Sequence, residues 1–466
     1  MNNSNNIKTY KCGTLRYTVI QVWSVMFWML WGAVAMSMLG TTFNSATPFL
    51  FRNHGLSDTF LAVIMGTVFA WINTVMNPVL STVSDNCRSK YGRRIPFILY
   101  TALPTAICMA AMPFYPYLCN YLPPALLGIS TKALLLGFGA VIYHIFYLFI
   151  AILYYYLIPD VIPADLMGRY YGFFRVTGVV FGIGFSKFVF PYVASHPQII
   201  YPAGAVFYLI AALALCFFVR EGEYPPVPEK DDTQPLLKRM ASTVAVYCRE
   251  CFSKKYYWWY YIAGLVVGLS GCINMFMNFF YLDSCRMDMT KIGELGVYIG
   301  IITAVVCLAA GFVVDKLGAF QSALIAQFMM AVIYLASGIL IKDFTSAVFW
   351  RGLLAVFSGL NAVAAGRVLV EVLPRSKFGM MASGRNLLTA LFVGLINFPV
   401  GLFSDFLKNA TPETTLICCG IDLMPMLKGY RFINFWAGIC TLAGGLILFY
   451  FYMVHHRKRT EKAYEL

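Results

Sequence analysis

The sequence predicts an all-α membrane protein of twelve transmembrane helices in two pseudo-symmetric six-helix halves. Three observations carry this expectation. The 466 residues are 60% hydrophobic, 17% aromatic and only 12% charged, too apolar for a water-soluble chain of this length. Apolar runs of membrane-spanning length recur from end to end. Short polar motifs also repeat at matching places in the two halves.

A bilayer core of about 30 Å takes roughly 20 apolar residues per helix. Runs of that size fall near 22–47, 59–83, 95–114, 132–158, 170–194, 200–219, 257–282, 293–314, 319–341, 346–371, 379–404 and 431–454. The polar start, Met1 to Tyr17, lacks the basic, apolar, small-residue order of a cleaved signal, so the first run is expected to stay as a helix. Lys8, Lys11 and Arg16 then share a side with Arg88, Lys90, Arg93 and Arg94, with the loop from Arg220 to Lys255, and with Arg457, Lys458 and Arg459. The opposite loops hold far fewer cations, which puts both termini in the cytoplasm and makes a multi-pass protein of the cytoplasmic or plasma membrane. The net charge of +14 is therefore topological, and nucleic acid is not an expected partner.

The loop carrying Pro225, Pro226, Pro228 and Pro235 reads as a linker. The expected organisation is an N-terminal half 1–219, a cytoplasmic linker 220–256, and a C-terminal half 257–466 ending in a short tail. Cys248 and Cys251 form an isolated CxxC without a second pair or a histidine, so no metal site is expected. Cys119, Cys285, Cys418 and Cys419 fall on the outer side, where pairing is open.

The halves repeat. Gly311-Phe-Val-Val-Asp315-Lys-Leu-Gly318 lies between the second and third helices of the second half, where Asp85 to Gly92 lies in the first. Pro163, with Asp160 before it and Gly168 and Arg175 after it, is mirrored by Pro374 with Glu371, Gly379 and Arg385. Asn44 of the first run has a counterpart in Asn278 of the seventh.

Gly311 to Gly318 resembles the signature loop of the major facilitator superfamily. The first-half version is longer: Asp85, six residues, then Gly92-Arg93-Arg94-Ile95-Pro96-Phe97. It is similar to the loop of glycoside-pentoside-hexuronide:cation symporters and the related sucrose/proton symporters. The superfamily likeness covers nearly the whole chain; the narrower one rests on Asn77 to Phe97 and Pro159 to Arg175.

The resemblance implies a secondary active transporter that works by alternating access, with Asp85 and Asp315 as gating carboxylates. A carboxylate at the end of the second helix can face the positive N-terminal end of a helix from the other half and latch one side shut. The competing reading is that Arg93, Arg94 and their neighbours only set topology. Asp160 and Glu371 belong to the same gating and coupling set. Arg367 stands one turn before Glu371, which fits an i,i+4 ion pair.

In this superfamily the first and fourth helices of each half line the cavity. Polar groups there are candidate ligands by default: Thr41 and Asn44, Asn274 and Asn278, and the row His144, Leu148, Ala151 and Tyr155. Tyr155 could stack on a sugar ring and His144 could bond a hydroxyl or carry a proton; interhelical bonding and packing compete with these roles. Arg175 lies about 10 Å inside the fifth run. It falls where melibiose-type carriers place a sugar-binding arginine, with snorkelling as the rival. Gly178, Gly182 and Gly184 of the fifth run would allow close helix contact during the alternating-access motion, with ordinary static packing as an equal rival.

The two acids of the second helix in melibiose-type carriers are replaced here by Asn73 and Asn77. Their other two acids are replaced by Met36 and Ala151. A Na⁺ site of carboxylates is thus disfavoured against a proton, and no other cofactor is expected. The expected solute is a neutral sugar, a glycoside or a sugar acid, moved across the lipid bilayer by a protein functional as a monomer. The alternatives are a facilitator for another polar solute, such as a nucleoside or organic anion, or a non-transporting nutrient sensor. The short central loop and tail favour transport. An enzyme is disfavoured because no nucleophile–base pair, metal motif or soluble domain is visible.

Overall fold

The computed structural model describes residues 9–126, 128–224, 247–374, 378–410, 415–418, 421–422 and 424–456. Most of the expected linker, 225–246, lies outside them. Among the described residues eleven helices are long and apolar enough to cross a membrane. We number the spanning helices α1 (Val19–Asn53), α2 (Asp58–Asp85), α3 (Ile95–Tyr121), α4 (Thr131–Val161), α5 (Met167–Phe188), α6 (Pro197–Phe218), α7 (Lys255–Ser284), α8 (Met289–Leu317), α9 (Ala319–Leu340), α10 (Phe344–Val372), α11 (Phe378–Asn409) and α12 (Phe432–His456). Helix α5 completes the expected twelve. Its 22 residues span about 33 Å, but Arg169, Arg175 and Lys187 lower its apolarity, and it is not among the eleven. Three short two-stranded hairpins, Thr9–Cys12 with Leu15–Thr18, Ala125–Leu126 with Ile129–Ser130, and Ile417–Cys418 with Ile421–Asp422, were not expected of an all-α chain. Each pairs backbone groups outside the helices.

The chain divides into two compact units, Met1–Leu56 with Ile72–Glu229, and Ser57–Trp71 with Lys230–Leu466. The division near 229 falls inside the expected linker. The difference lies in α2, whose first part, Ser57–Trp71, groups with the second unit.

Within the first unit α1 packs on α4, α5 and α6, and α3 on α4 and α6. Within the second, α7 packs on α11 and α12, and α9 on α10 and α12. The pairings α1–α6 and α7–α12, α3–α6 and α9–α12, α3–α4 and α9–α10, and α1–α5 and α7–α11 correspond, which is the internal repeat expressed as packing. Buried tyrosines tie the first unit: the Tyr154 hydroxyl donates to Met29 O (2.5 Å) and meets the Tyr170 hydroxyl (2.6 Å), and Tyr201 meets Thr47 at 2.9 Å. In an apolar slab these bonds have no water to compete with them.

In the second unit the first part of α2 lies against α11 through small residues. A Cβ added at Gly401 would come within 2.7 Å of Thr59 Cα, and Thr67 donates to Gly394 O at 2.6 Å. By contrast, Cβ atoms built at Gly178, Gly182 and Gly184 of α5 meet nothing within 4 Å. Static helix packing therefore does not account for these three glycines, which leave open volume along the helix.

Gly92 is different. Its φ of +107° is a left-handed conformation, and an added Cβ would lie 2.5 Å from Glu221 Cβ. Gly92→Ala is expected to lower the thermal unfolding midpoint and the yield of monodisperse protein on size exclusion, whereas Gly178→Ala leaves both unchanged.

Candidate functional site

Two kinds of charged site emerge from the packing: ion pairs near helix ends, and guanidinium groups inside the spans. At the end of α2, Asp85 is followed by a turn that folds back so that Arg93 and Arg94 precede α3. Arg93 grips Asp160 of α4 with two nitrogens (3.0 and 2.6 Å) and lies 3.3 Å from Asp85. Arg94, 5% exposed, holds Asp85 at 2.5 Å, bonds Ser84, and approaches Asp160 at 3.6 Å. A bidentate guanidinium–carboxylate pair is the strongest such geometry. Burial opposes the Arg93 charge, but the bond and charge of Asp160 outweigh it and hold the guanidinium above its ordinary pKa.

The carboxylate expected to latch onto a helix from the other half thus finds ion-pair partners within its own unit. The helix start that a carboxylate does cap here is that of α3. Glu221, just past α6, accepts from the backbone N–H groups of Arg93, Arg94 and Ile95 at 2.9, 2.7 and 2.7 Å. Tyr224 donates to the same carboxylate at 2.9 Å, and the Arg93 guanidinium lies 4.2 Å from the centre of its ring. Burial and the Glu221 charge push the Tyr224 phenol above its usual range.

The second unit repeats the theme in shorter form. Arg367 of α10 pairs with Asp315 of α8 and, one turn on, with Glu371 at 3.4 Å. In both units an arginine joins an acid near the end of the second helix to one near the end of the fourth.

At the other end of α2, Asp405 of α11 accepts from the backbone N–H groups of Asp58 and Thr59 (2.9 and 2.8 Å) and from the Thr59 hydroxyl (2.5 Å). Asp58, 3% exposed, accepts from Ser404 and Tyr430, both at 2.8 Å, with Lys408 at 3.9 Å. This cluster was not singled out from the sequence, nor were Glu221 and Tyr224.

Inside the spans the cations stand differently. Arg175 of α5 is exposed; on the same helix the flanks of Gly178 and Gly182 are open, and the ring of Phe174 meets Tyr155 at 5.9 Å and Tyr154 at 6.2 Å. Arg385 of α11 is half-buried. Its guanidinium lies 5.2 Å from the Tyr260 ring centre and so close to α7 that a Cβ at Gly264 would sit 2.5 Å from Nη2, and its Nε has no hydrogen-bond partner. Arg351 of α10, also missed from the sequence, is buried and bonds Asn434. Among the described residues no carboxylate pairs with any of the three.

Of the row on α4, His144 and Leu148 are buried, with His144 6.1 Å from the Tyr147 ring, while Tyr155 is 46% exposed. Asn44 and Asn274 are exposed and Asn278 half-buried. Asn274 falls in a 3₁₀ stretch, Ser270–Phe276, that interrupts α7. On α2, Asn77 spends its amide on the backbone oxygen of Asn73 at 2.7 Å. Cys119 and Cys285 carry free thiols; the Cys418 side chain and Cys419 lie outside the described residues, as do Arg457, Lys458 and Arg459. Among the described residues no cluster of three or more metal-ligating side chains occurs, and Cys251 of the CxxC bonds Met380 O at 3.5 Å.

The family profile described as MFS/sugar transport protein matches residues 28–370, well over half of the chain. The chain belongs to the MFS/sugar transport protein family. Among solved structures, this family member is similar to a bacterial homolog of the human lysosomal transporter Spinster (14% identity, TM-score 0.68, covering 93% of this chain and 98% of that one). It is also similar to the nucleoside transporter NupG (10%, 0.65, 92% and 100%) and to a D-xylose-proton symporter (13%, 0.62, 93% and 97%). At these identities the likeness shows the major facilitator fold. A search of curated proteins returned no match. As an MFS protein the chain is an integral multi-pass transporter of small molecules.

Two losses of stability test the helix-end networks. Glu221→Ala removes the acceptor of three backbone donors and a phenol, and Asp405→Ala removes the acceptor of two N–H groups and a hydroxyl in the first turn of α2, beside the Ser57 cap; each is expected to cost about 1–3 kcal/mol, read as a lowered thermal midpoint in detergent. Glu371→Ala, removing an exposed i,i+4 partner, is expected to shift the midpoint far less.

Proposed function

We propose that this transporter moves a sugar, glycoside or sugar acid by alternating access, coupled to protons, acting as a monomer with both termini in the cytoplasm. The observation that carries the reading is Arg175: an exposed guanidinium on a spanning helix, with no carboxylate partner among the described residues, on a helix whose glycines leave room and whose Phe174 ring meets Tyr155. Aromatic faces suit the apolar face of a sugar ring, and a guanidinium suits its hydroxyls or a carboxylate. Arg385, with an unbonded Nε against Tyr260, supplies a similar pairing in the second unit. The family description, a sugar transport protein, agrees with this chemistry.

Of the three proton-carrier candidates, Asp160 and Glu371 are already engaged in ion pairs with arginines. This supports His144, whose ordinary pKa lies near neutrality, as the titrating group. Asp85, Arg93, Arg94 and Asp315 then act as gating residues through helix-end ion pairs. A carrier for a nucleoside or organic anion is the second reading; the aromatic rings favour it equally, since a base offers a planar face for stacking.

Uptake into proteoliposomes by wild-type protein is expected to rise under an imposed inward pH gradient and not under a Na⁺ gradient. Arg175→Ala is expected to abolish uptake at unchanged protein content. Normal uptake by that variant removes Arg175 from the site. His144→Gln is expected to keep equilibrium exchange of solute while losing acceleration by the pH gradient; acceleration retained in that variant would assign the proton elsewhere.

A further inference from the structure

The buried end of the Arg351 side chain has no role in the reading above. Arg351 sits two turns into α10, which is opened by a capping box between Asp343 and Ser346. It is 4% exposed, and its neighbours come from α7, including the Tyr281 side chain to which it is hydrogen-bonded, from α12 and, with Tyr334, from α9. Its Nη2 donates to Asn434 Oδ1 at 2.6 Å and contacts Met277 Sδ at 3.1 Å; the rings of Tyr281 and Phe280 lie 5.6 and 6.0 Å from its central carbon. Asn434 is fully buried.

Two donors in this pocket go unanswered. Arg351 Nε has no hydrogen-bond partner, and neither does Asn434 Nδ2. The second follows from the first residue's chemistry: a guanidinium only donates, so it fixes the Asn434 amide with its oxygen inward and its N–H groups directed elsewhere. No carboxylate among the described residues pairs with Arg351. A buried charge without a counter-charge is strongly disfavoured in a membrane interior, and ring quadrupoles and one amide oxygen offset only part of that cost. Water could satisfy the donors but not the charge. Met277, Phe280, Tyr281 and Asn434 supply no negative charge.

We propose that Arg351 and Asn434 form an anion-binding site that takes one small negatively charged group, a halide or a carboxylate. The guanidinium supplies the charge and Nε–H, and the Asn434 amide supplies a second donor. The two possible sources are a free inorganic anion, such as chloride, and the carboxylate of an organic solute.

The test is thermal unfolding of the full-length protein in nanodiscs, in buffer whose sole anion is isethionate, titrated separately with chloride and with glucuronate at constant ionic strength. The expected result is a saturable rise in midpoint of more than about 2 °C for the wild type, absent in Arg351→Gln. A rise with chloride assigns a free-anion site; a rise with glucuronate alone assigns the carboxylate of an organic solute. Asn434→Asp places a fixed carboxylate on the guanidinium, so this variant is expected to start from a higher midpoint in isethionate and to respond to neither anion. It carries the test even if Arg351→Gln fails to fold. A wild type insensitive to both anions, or an equal response in wild type and Asn434→Asp, overturns the proposal. The readout is binding without transport, so it stands apart from the sugar reading.

Discussion

A charge inside roughly 30 Å of hydrocarbon must be answered by a partner, by water or by a ligand. The described charges of this transporter sort on that constraint. Several near helix ends are paired: Arg93 and Arg94 with Asp85 and Asp160, Arg367 with Asp315 and Glu371, and Lys408 near Asp58. Three within the spans, Arg175, Arg351 and Arg385, have no carboxylate partner among the described residues. The first group costs little to keep charged and fixes helix ends against one another. The second is costly unless water or something not encoded in the chain answers it, which is the physical reason to associate it with ligands.

The paired networks also show how the internal repeat is used. Each unit joins the end of its second helix to the end of its fourth through arginine, but the first unit does so with two arginines and adds the Glu221 cap on α3. The longer loop makes this possible: Gly92 in a left-handed conformation turns the chain so that three backbone N–H groups converge on one carboxylate. At the opposite end of α2 the cap is supplied by Asp405 of α11, and small residues let the two helices approach. Helix α2 is therefore anchored at its two ends by different partners, and its first part groups with the second unit.

Much of this architecture was legible in the sequence because its signals are local. Run length and apolarity gave the spanning helices, the repeated loops gave the two halves, and the spacing of Arg367 and Glu371 gave their ion pair. Helix α5 was legible as a run even though its cations weaken its apolarity. What escaped were contacts set by tertiary structure. Glu221 lies 126 residues from Ile95, Asp405 lies 347 from Asp58, and Arg351 meets partners 74 and 83 residues away. No periodicity connects such pairs. The ion pairs of Asp85 within its own unit escaped for the same reason, since the turn that brings Arg93 and Arg94 back to it cannot be read from residue types alone. The open space at the glycines of α5 was likewise not readable from residue types.

The central claim is that helix-end charges hold the fold while charges within the spans serve ligands. The most direct measurement compares Arg93→Ala with Arg385→Ala for thermal midpoint and for equilibrium binding of a radiolabelled solute identified by uptake. The account predicts a lowered midpoint with binding retained for Arg93→Ala, and an unchanged midpoint with binding lost for Arg385→Ala. A lowered midpoint with intact binding for Arg385→Ala would contradict it.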